Sequence, residues 1–302
     1  MSTTAVFCGI SRSHLRWRRP VSPGIWTLIG ALAIPLWATW PALSLRTREM
    51  PAFECLTLIF LVASLVLGVI ERPVARVDAQ ISTWRPWIPA LAFAVGESGS
   101  AVCFLLATHY IPAAEANLIA YLWPGMIAGI GAVLGLFRLR IRHVTGIALG
   151  FAGAAILMAG GTLSVSFTGM GLALLSGVAW AIYCIFRLTW REPCGNLLAR
   201  GFALSTILCG IMHLLLEPSV MPTLGGAAAA GVVGIVPAAC ANLAWDEGFR
   251  RGDSQLLAVM AYATPLVSAL LLTVLGLESF TWRLLIGAVV IGLAGVLSRA
   301  DP

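Results

Sequence analysis

The sequence predicts an all-α integral membrane protein: ten transmembrane helices in two inverted five-helix repeats around a central cavity. Three observations predict it. Apolar residues make up 59% of the chain and charged residues only 11%, against about 25% charged in a soluble domain. Ten apolar runs of membrane-crossing length follow one another with short links. The pattern of the fourth run returns in the ninth. With 302 residues and about 20 per spanning helix, little chain is left for an extramembrane domain.

The elements follow in order. Residues 1–23 form a basic tail carrying Arg12, Arg16, Arg18 and Arg19, and the apolar run behind them is longer than a signal-peptide core. It reads as an uncleaved first span with a cytoplasmic basic flank. Charged or Gly/Pro-marked breaks then give spans over 24–45, 51–70, 87–108, 113–137 and 143–160, and a second five over 170–189, 196–216, 226–249, 254–276 and 282–298. Each covers about 30 Å of hydrocarbon at 1.5 Å per residue. The uncharged stretch over 144–186 is too long for one span, and Gly160, Gly161 and a Ser/Thr-rich link to Gly169 divide it into two helices with a tight turn.

Cytoplasmic links next to spans retain positive charge, so the distribution of basic residues tests this division. All 19 are Arg. With the N-terminus inside, 16 fall on the cytoplasmic side and only Arg46, Arg48 and Arg283 fall outside. A miscounted helix would scramble that alternation. Both termini are therefore expected in the cytoplasm. Because the positive charge sits in links between spans, it implies no nucleic-acid partner.

At an offset of 141 residues, Tyr121, Pro124, Gly135 and Gly146 fall on Tyr262, Pro265, Gly276 and Gly287; at 143, Trp37-Ala38 falls on Trp180-Ala181. The expected units are 24–160 and 161–302. An odd number of helices per unit makes the second copy enter the membrane inverted, an arrangement used by transporters with a solute site near the midplane.

Candidate site residues are those that lipid would not tolerate. Glu97 lies at the centre of the third span between Gly96 and Gly99, where an ionisable group is costly and a functional candidate. It reads either as a structural carboxyl, protonated or satisfied by a neighbouring helix, or as a lining group that binds an ammonium or takes up a proton. Trp37, Tyr121, Trp123, Trp180, Tyr183 and Tyr262 lie nearer mid-depth, where an indole N–H or phenol O–H needs a partner other than lipid. Singly each could be core packing; as a set they read as an aromatic-lined cavity. Trp26, Trp84, Trp87, Trp190, Trp245 and Trp282 lie near span ends and are assigned to the interfacial belt.

Pro35, Pro41, Pro124, Pro237 and Pro265 interrupt helical hydrogen bonding and are expected as kinks beside a cavity or partner helix. The pairs Gly125/Gly129, Gly131/Gly135 and Gly146/Gly150 suit close helix packing within the chain, or a dimer face; a monomer is the expectation. Glu54, Glu115, Asp246 and Glu247, near span ends, are read as solvated-face residues without chemistry. Seven Cys occur singly, without metal-site spacing. No metal or cofactor is expected, and no enzyme motif occurs. Solute transport is thus favoured over an intramembrane enzyme or a structural membrane protein.

Several stretches together resemble the drug/metabolite transporter superfamily, EamA type. They are Leu36-Trp37-Ala38-Thr39, Glu97 followed by Tyr121-Leu122-Trp123-Pro124, Ala179-Trp180-Ala181-Ile182-Tyr183-Cys184, and Ala244-Trp245 leading to Gly248, Gly252 and Tyr262-Ala263-Thr264-Pro265. The resemblance spans nearly the whole chain and is nearest to bacterial exporters of aromatic amino acids. It implies residence in the bacterial inner membrane and export of amino acids, aromatic ones preferred, through a cavity lined by Tyr121, Trp123 and Trp180. Export of other metabolites or of cationic drugs is the alternative within the superfamily.

Overall fold

The computed structural model describes residues 22–71, 87–136, 138–158, 166–190, 195–277 and 279–298. The basic tail over 1–21, the link with Arg72, Arg76 and Arg85, Trp84, the turn at Gly160 and Gly161, Arg191 and Arg299 lie outside the described residues, as do Cys8 and Cys194. Among the described residues no strand occurs. In chain order the helices are α1 (Pro23–Ser44), α2 (Ala52–Ile70), α3 (Trp87–Ala107), α4 (Ala113–Ala120 and Trp123–Val133), α5 (Ile141–Met158), α6 (Phe167–Thr189), α7 (Leu197–Leu216), α8 (Leu224–Arg251), α9 (Ser254–Val274) and α10 (Trp282–Ser298). Eight of these are long and apolar enough to cross a membrane, while α5 and α10 contain shorter apolar stretches, Ile141–Ile156 and Leu285–Ala294.

Burial runs opposite to that of a water-soluble bundle. Leu65, Val69, Val95 and Leu214 stand on the outer surface, whereas small residues, aromatic rings and a few polar groups are buried. Such an apolar exterior would be a liability in water and is what hydrocarbon requires. The chain is a multi-pass membrane protein. Arg251 lies over the Trp26 ring at 4.4 Å and Arg200 over Trp87 at 5.2 Å, pairing ring faces with cations at one end of the bundle. Cys55, Cys103, Cys184, Cys209 and Cys240 are free thiols.

Helix α3 runs along α6 and α1 along α8; α2 lies against α7, and α5 against α10; α4 meets α6 and α9 meets α1. Replacing each helix by the one five places further along the chain turns this set of neighbours into itself. Local geometry repeats at the same spacing. Both α4 and α9 break at their tyrosine, α4 into Ala113–Ala120 and Trp123–Val133 and α9 into Ser254–Met260 and Thr264–Val274, with Pro124 and Pro265 in the first turn of the second piece. Both then end on a glycine at positive φ, Gly135 at 71° and Gly276 at 70°. The next N–H bonds back to the carbonyl five residues earlier, Leu136 to Gly131 at 2.7 Å and Leu277 to Leu272 at 2.9 Å, a left-handed cap that glycine adopts without Cβ strain.

Two carboxylates tie α2 to α7 in a reciprocal manner. Glu71, just past the end of α2, accepts the N–H groups of Leu198 (3.3 Å) and Ala199 (2.9 Å) at the start of α7. Glu217, just past the end of α7, accepts those of Phe53 (3.0 Å) and Glu54 (3.3 Å) at the start of α2. Each antiparallel helix thus supplies the acceptor for its neighbour's unsatisfied N-terminal N–H groups. Burial raises the Glu71 carboxyl above its ordinary range, and the two N–H donors oppose that rise.

The prolines divide. Pro124 and Pro237 are buried and Pro265 half-buried, but Pro35 and Pro41 stand exposed on the outer surface, against the expectation that all would face a cavity or helix. The reason is local. The rod of α1 restarts at Ala33 and at Trp40, so both rings sit in a first helical turn, where a missing N–H removes no intrahelical bond. Pro237 instead lies in a π-helical turn over Gly234–Cys240.

Candidate functional site

The side chains converge because helices of 3.6 residues per turn present positions three and four apart on one face. On α3 that face carries Glu97, Ser100, Ala101 and Phe104; on α6 it carries Ser176, Gly177 and Trp180; on α1, Trp37, Trp40 and Ser44. Together with Asn117, Tyr121 and Trp123 of α4, Val233 and Asn242 of α8 and Thr264 of α9, they enclose a cavity of about 790 Å³, in the size range of small-molecule sites. It reaches the face where α1 joins α2 and α3 joins α4, with the exposed Arg48 at that end.

Of the sequence-selected residues, Trp37, Glu97, Tyr121, Trp123 and Trp180 line this one cavity. Glu97 faces it, and among the described residues no cation or hydrogen-bond donor is set against its carboxyl. Nearby, the Ser100 and Ser176 hydroxyls share a hydrogen bond of 3.0 Å that ties α3 to α6. The lining rings Trp37 and Trp180 meet edge to face at 6.3 Å, and Tyr183 backs Trp180 from behind the wall at 5.3 Å.

Tyr183 and Tyr262 lie elsewhere. Tyr262 is fully buried, its ring against Gly150, where an added Cβ would stand 2.5 Å away, and its hydroxyl near Gly125. Two of the small-residue positions thus pack within the chain. Tyr183 is buried behind Trp180 and donates its hydroxyl to Asp246 Oδ1 at 3.1 Å. Asp246, read from sequence as a solvated residue, is buried and paired with Arg187, whose Nε and Nη2 reach Oδ1 at 2.7 Å and Oδ2 at 3.0 Å. Trp245, assigned to the interfacial belt, is also buried, with Trp37 at 5.2 Å and Trp123 at 5.5 Å. Both departures have one cause: α8 is 28 residues long, so its last turns are still enclosed by α1 and α6 when a span of average length would have left the membrane. The one available signal was an Arg and an Asp each placed inside the end of an apolar run.

The EamA-like transporter family matches the chain twice, over residues 23–159 and 167–299. It is 33% identical over 279 residues, 89% of this chain and 96% of the relative, to the aromatic amino acid exporter YddG of Ancylobacter novellus. It is 27% identical over 154 residues, 48% of this chain and 49% of the relative, to the uncharacterized inner membrane transporter YedA of Escherichia coli. A solved crystal structure superposes with a TM-score of 0.82 at 33% identity, covering 91% of this chain and 96% of that one.

Proposed function

The chain belongs to the EamA-like transporter family, and from that premise we propose that this membrane transporter exports amino acids, aromatic and hydrophobic ones preferred. Two inverted five-helix halves, 24–160 and 161–302, rock about the midplane cavity to expose it to each side in turn. The exchange of helix neighbours five places along the chain and the twin left-handed caps at Gly135 and Gly276 support the repeat, with α5 and α10 completing ten spans. The chain resides in a bacterial inner membrane with both termini cytoplasmic.

What carries this reading is the pairing of an aromatic wall with a carboxyl against which, among the described residues, no cation is set. Trp37, Trp123 and Trp180 accommodate an apolar or aromatic side chain, and Glu97 with the ring faces holds an ammonium. Tyr121 borders the same space, while Tyr183 and Tyr262 hold lining helices in place.

The test is flux of L-phenylalanine in vesicles containing the purified protein. Trp180→Ala is expected to weaken phenylalanine transport about tenfold, equivalent to about 1.4 kcal/mol. Glu97→Gln is expected to lower transport and flatten its pH response. Wild-type rates and pH response in both variants would remove these residues from the site. The same walls would also suit a hydrophobic cation, so competition by a cationic drug panel, if stronger than by aromatic amino acids, would transfer the assignment to drug export.

A further inference from the structure

Arg187 and Asp246 stand between two cavities. On α6 the positions facing the central cavity, Ser176, Gly177 and Trp180, are followed a turn at a time by Tyr183 and Arg187. On α8, Asn242 is followed by Asp246. A second cavity of about 690 Å³ lies on the other side of this pair, and Trp26, Asn196, Arg187, Asp246 and Glu247 line it. The plug between the two spaces is a layer of rings, Trp37 with Trp245 and Trp180 with Tyr183, backed by the ion pair. Both ion-pair side chains are almost fully enclosed, 5% and 6% exposed.

A path through the plug must separate these charges, and a buried charge left without its partner is strongly unfavourable. Exchange of partners avoids that penalty. The guanidinium meets the carboxylate through two donors, a fork that fits any carboxylate, and Asp246 in turn fits an ammonium. A solute carrying an ammonium and a carboxylate on one carbon satisfies both at once. An amine or a carboxylate alone completes only one half of the exchange. Among the described residues, the other charges lining this vestibule are engaged: Glu247 holds Arg250 at 3.0 Å and Arg251 at 2.7 Å, and the partly buried Glu71 holds the start of α7.

We propose that Arg187 and Asp246 form the zwitterion-recognition pair of the second vestibule, opening by exchange with the carboxylate and ammonium of an α-amino acid and thereby rejecting amines and carboxylates of the same shape. The proposal rests on the amino-acid reading above and adds a second binding site, distinct from the Glu97 cavity.

The experiment is phenylalanine counterflow in vesicles, with phenethylamine and 3-phenylpropionate as competitors that each lack one charged group. In the wild type both are expected to compete at least tenfold more weakly than phenylalanine. Asp246→Asn, which leaves the guanidinium, should strengthen 3-phenylpropionate relative to phenylalanine. Arg187→Gln, which leaves the carboxylate, should strengthen phenethylamine. The charge exchange Arg187→Asp with Asp246→Arg retains a pair and should restore preference for the zwitterion. A merely structural ion pair would lower all fluxes together, without opposite shifts in preference, and that result overturns the proposal. So does equal competition by all three compounds in the wild type, which needs no variant to fold. Absence of any phenylalanine flux in the wild type instead overturns the amino-acid reading itself.

Discussion

Single carboxylates decide more of this structure than their number suggests. An acid just beyond a helix C-terminus is opposed by that helix's own dipole, and Glu71 and Glu217 both sit there because each serves the N-terminus of the other's helix. Removing the acceptor by Glu217→Ala is expected to cost about 1.5–3 kcal/mol, the range for hydrogen bonds to a charged group, read as a lower unfolding midpoint in detergent. Glu71 adds a pH dependence whose sign is fixed by its raised carboxyl. A group that binds its proton more tightly when folded stabilises the fold at low pH, and that contribution is lost as pH rises from the ordinary carboxylate value through the raised one. Glu71→Gln should therefore flatten the fall in unfolding midpoint above about pH 4.3. Glu97 was legible as a candidate because it stands alone in an apolar run. Asp246 was not, since its partner Arg187 is 59 residues away in the chain and only packing brings them together.

At the scale of elements, the sequence marked where helices break but not how the breaks are accommodated. The Tyr-x-x-Pro of α4 and α9 reads as a kink. In the structure each proline opens a new helical piece after a short break, a 3-10 turn over Ala261–Ala263 in α9, and the helix then closes on a glycine cap. Those caps give a sharp expectation. Gly135→Ala and Gly276→Ala should each lower stability by about 1–2 kcal/mol, the strain of a Cβ in the left-handed region. Gly129→Ala, where nothing lies within 4 Å of an added Cβ, should leave the unfolding midpoint unchanged or slightly raised. Equal losses at Gly135 and Gly276 are what two copies of one device require. Pro35 and Pro41 show the limit of the pattern: whether a proline faces cavity or lipid depends on where the rod restarts, a property of the backbone rather than of the residue type.

For the whole molecule, the central cavity reaches one face of the bundle while rings and the Arg187–Asp246 pair close the other side. In the proposed orientation, with both termini cytoplasmic, the open face is the outer one. In a background with the native cysteines replaced, a membrane-impermeant thiol reagent applied to intact cells should label Arg48→Cys and spare Arg250→Cys, and inverted vesicles should reverse the result. Labelling of Arg250→Cys in intact cells would turn the orientation over. The sequence by itself determined that this is a helical membrane protein, where along the chain its apolar helices lie, and which mid-span residues lipid would reject, because transfer of each segment into hydrocarbon depends on its own composition and length. Only the tertiary structure decided which of those residues share a cavity, which are buried supports, and that an Arg and an Asp distant in the chain close the path between two spaces. Such matters depend on helix rotation and neighbour choice, and an apolar sequence leaves both undetermined, because lipid and protein are nearly equivalent surroundings for a Leu or a Val.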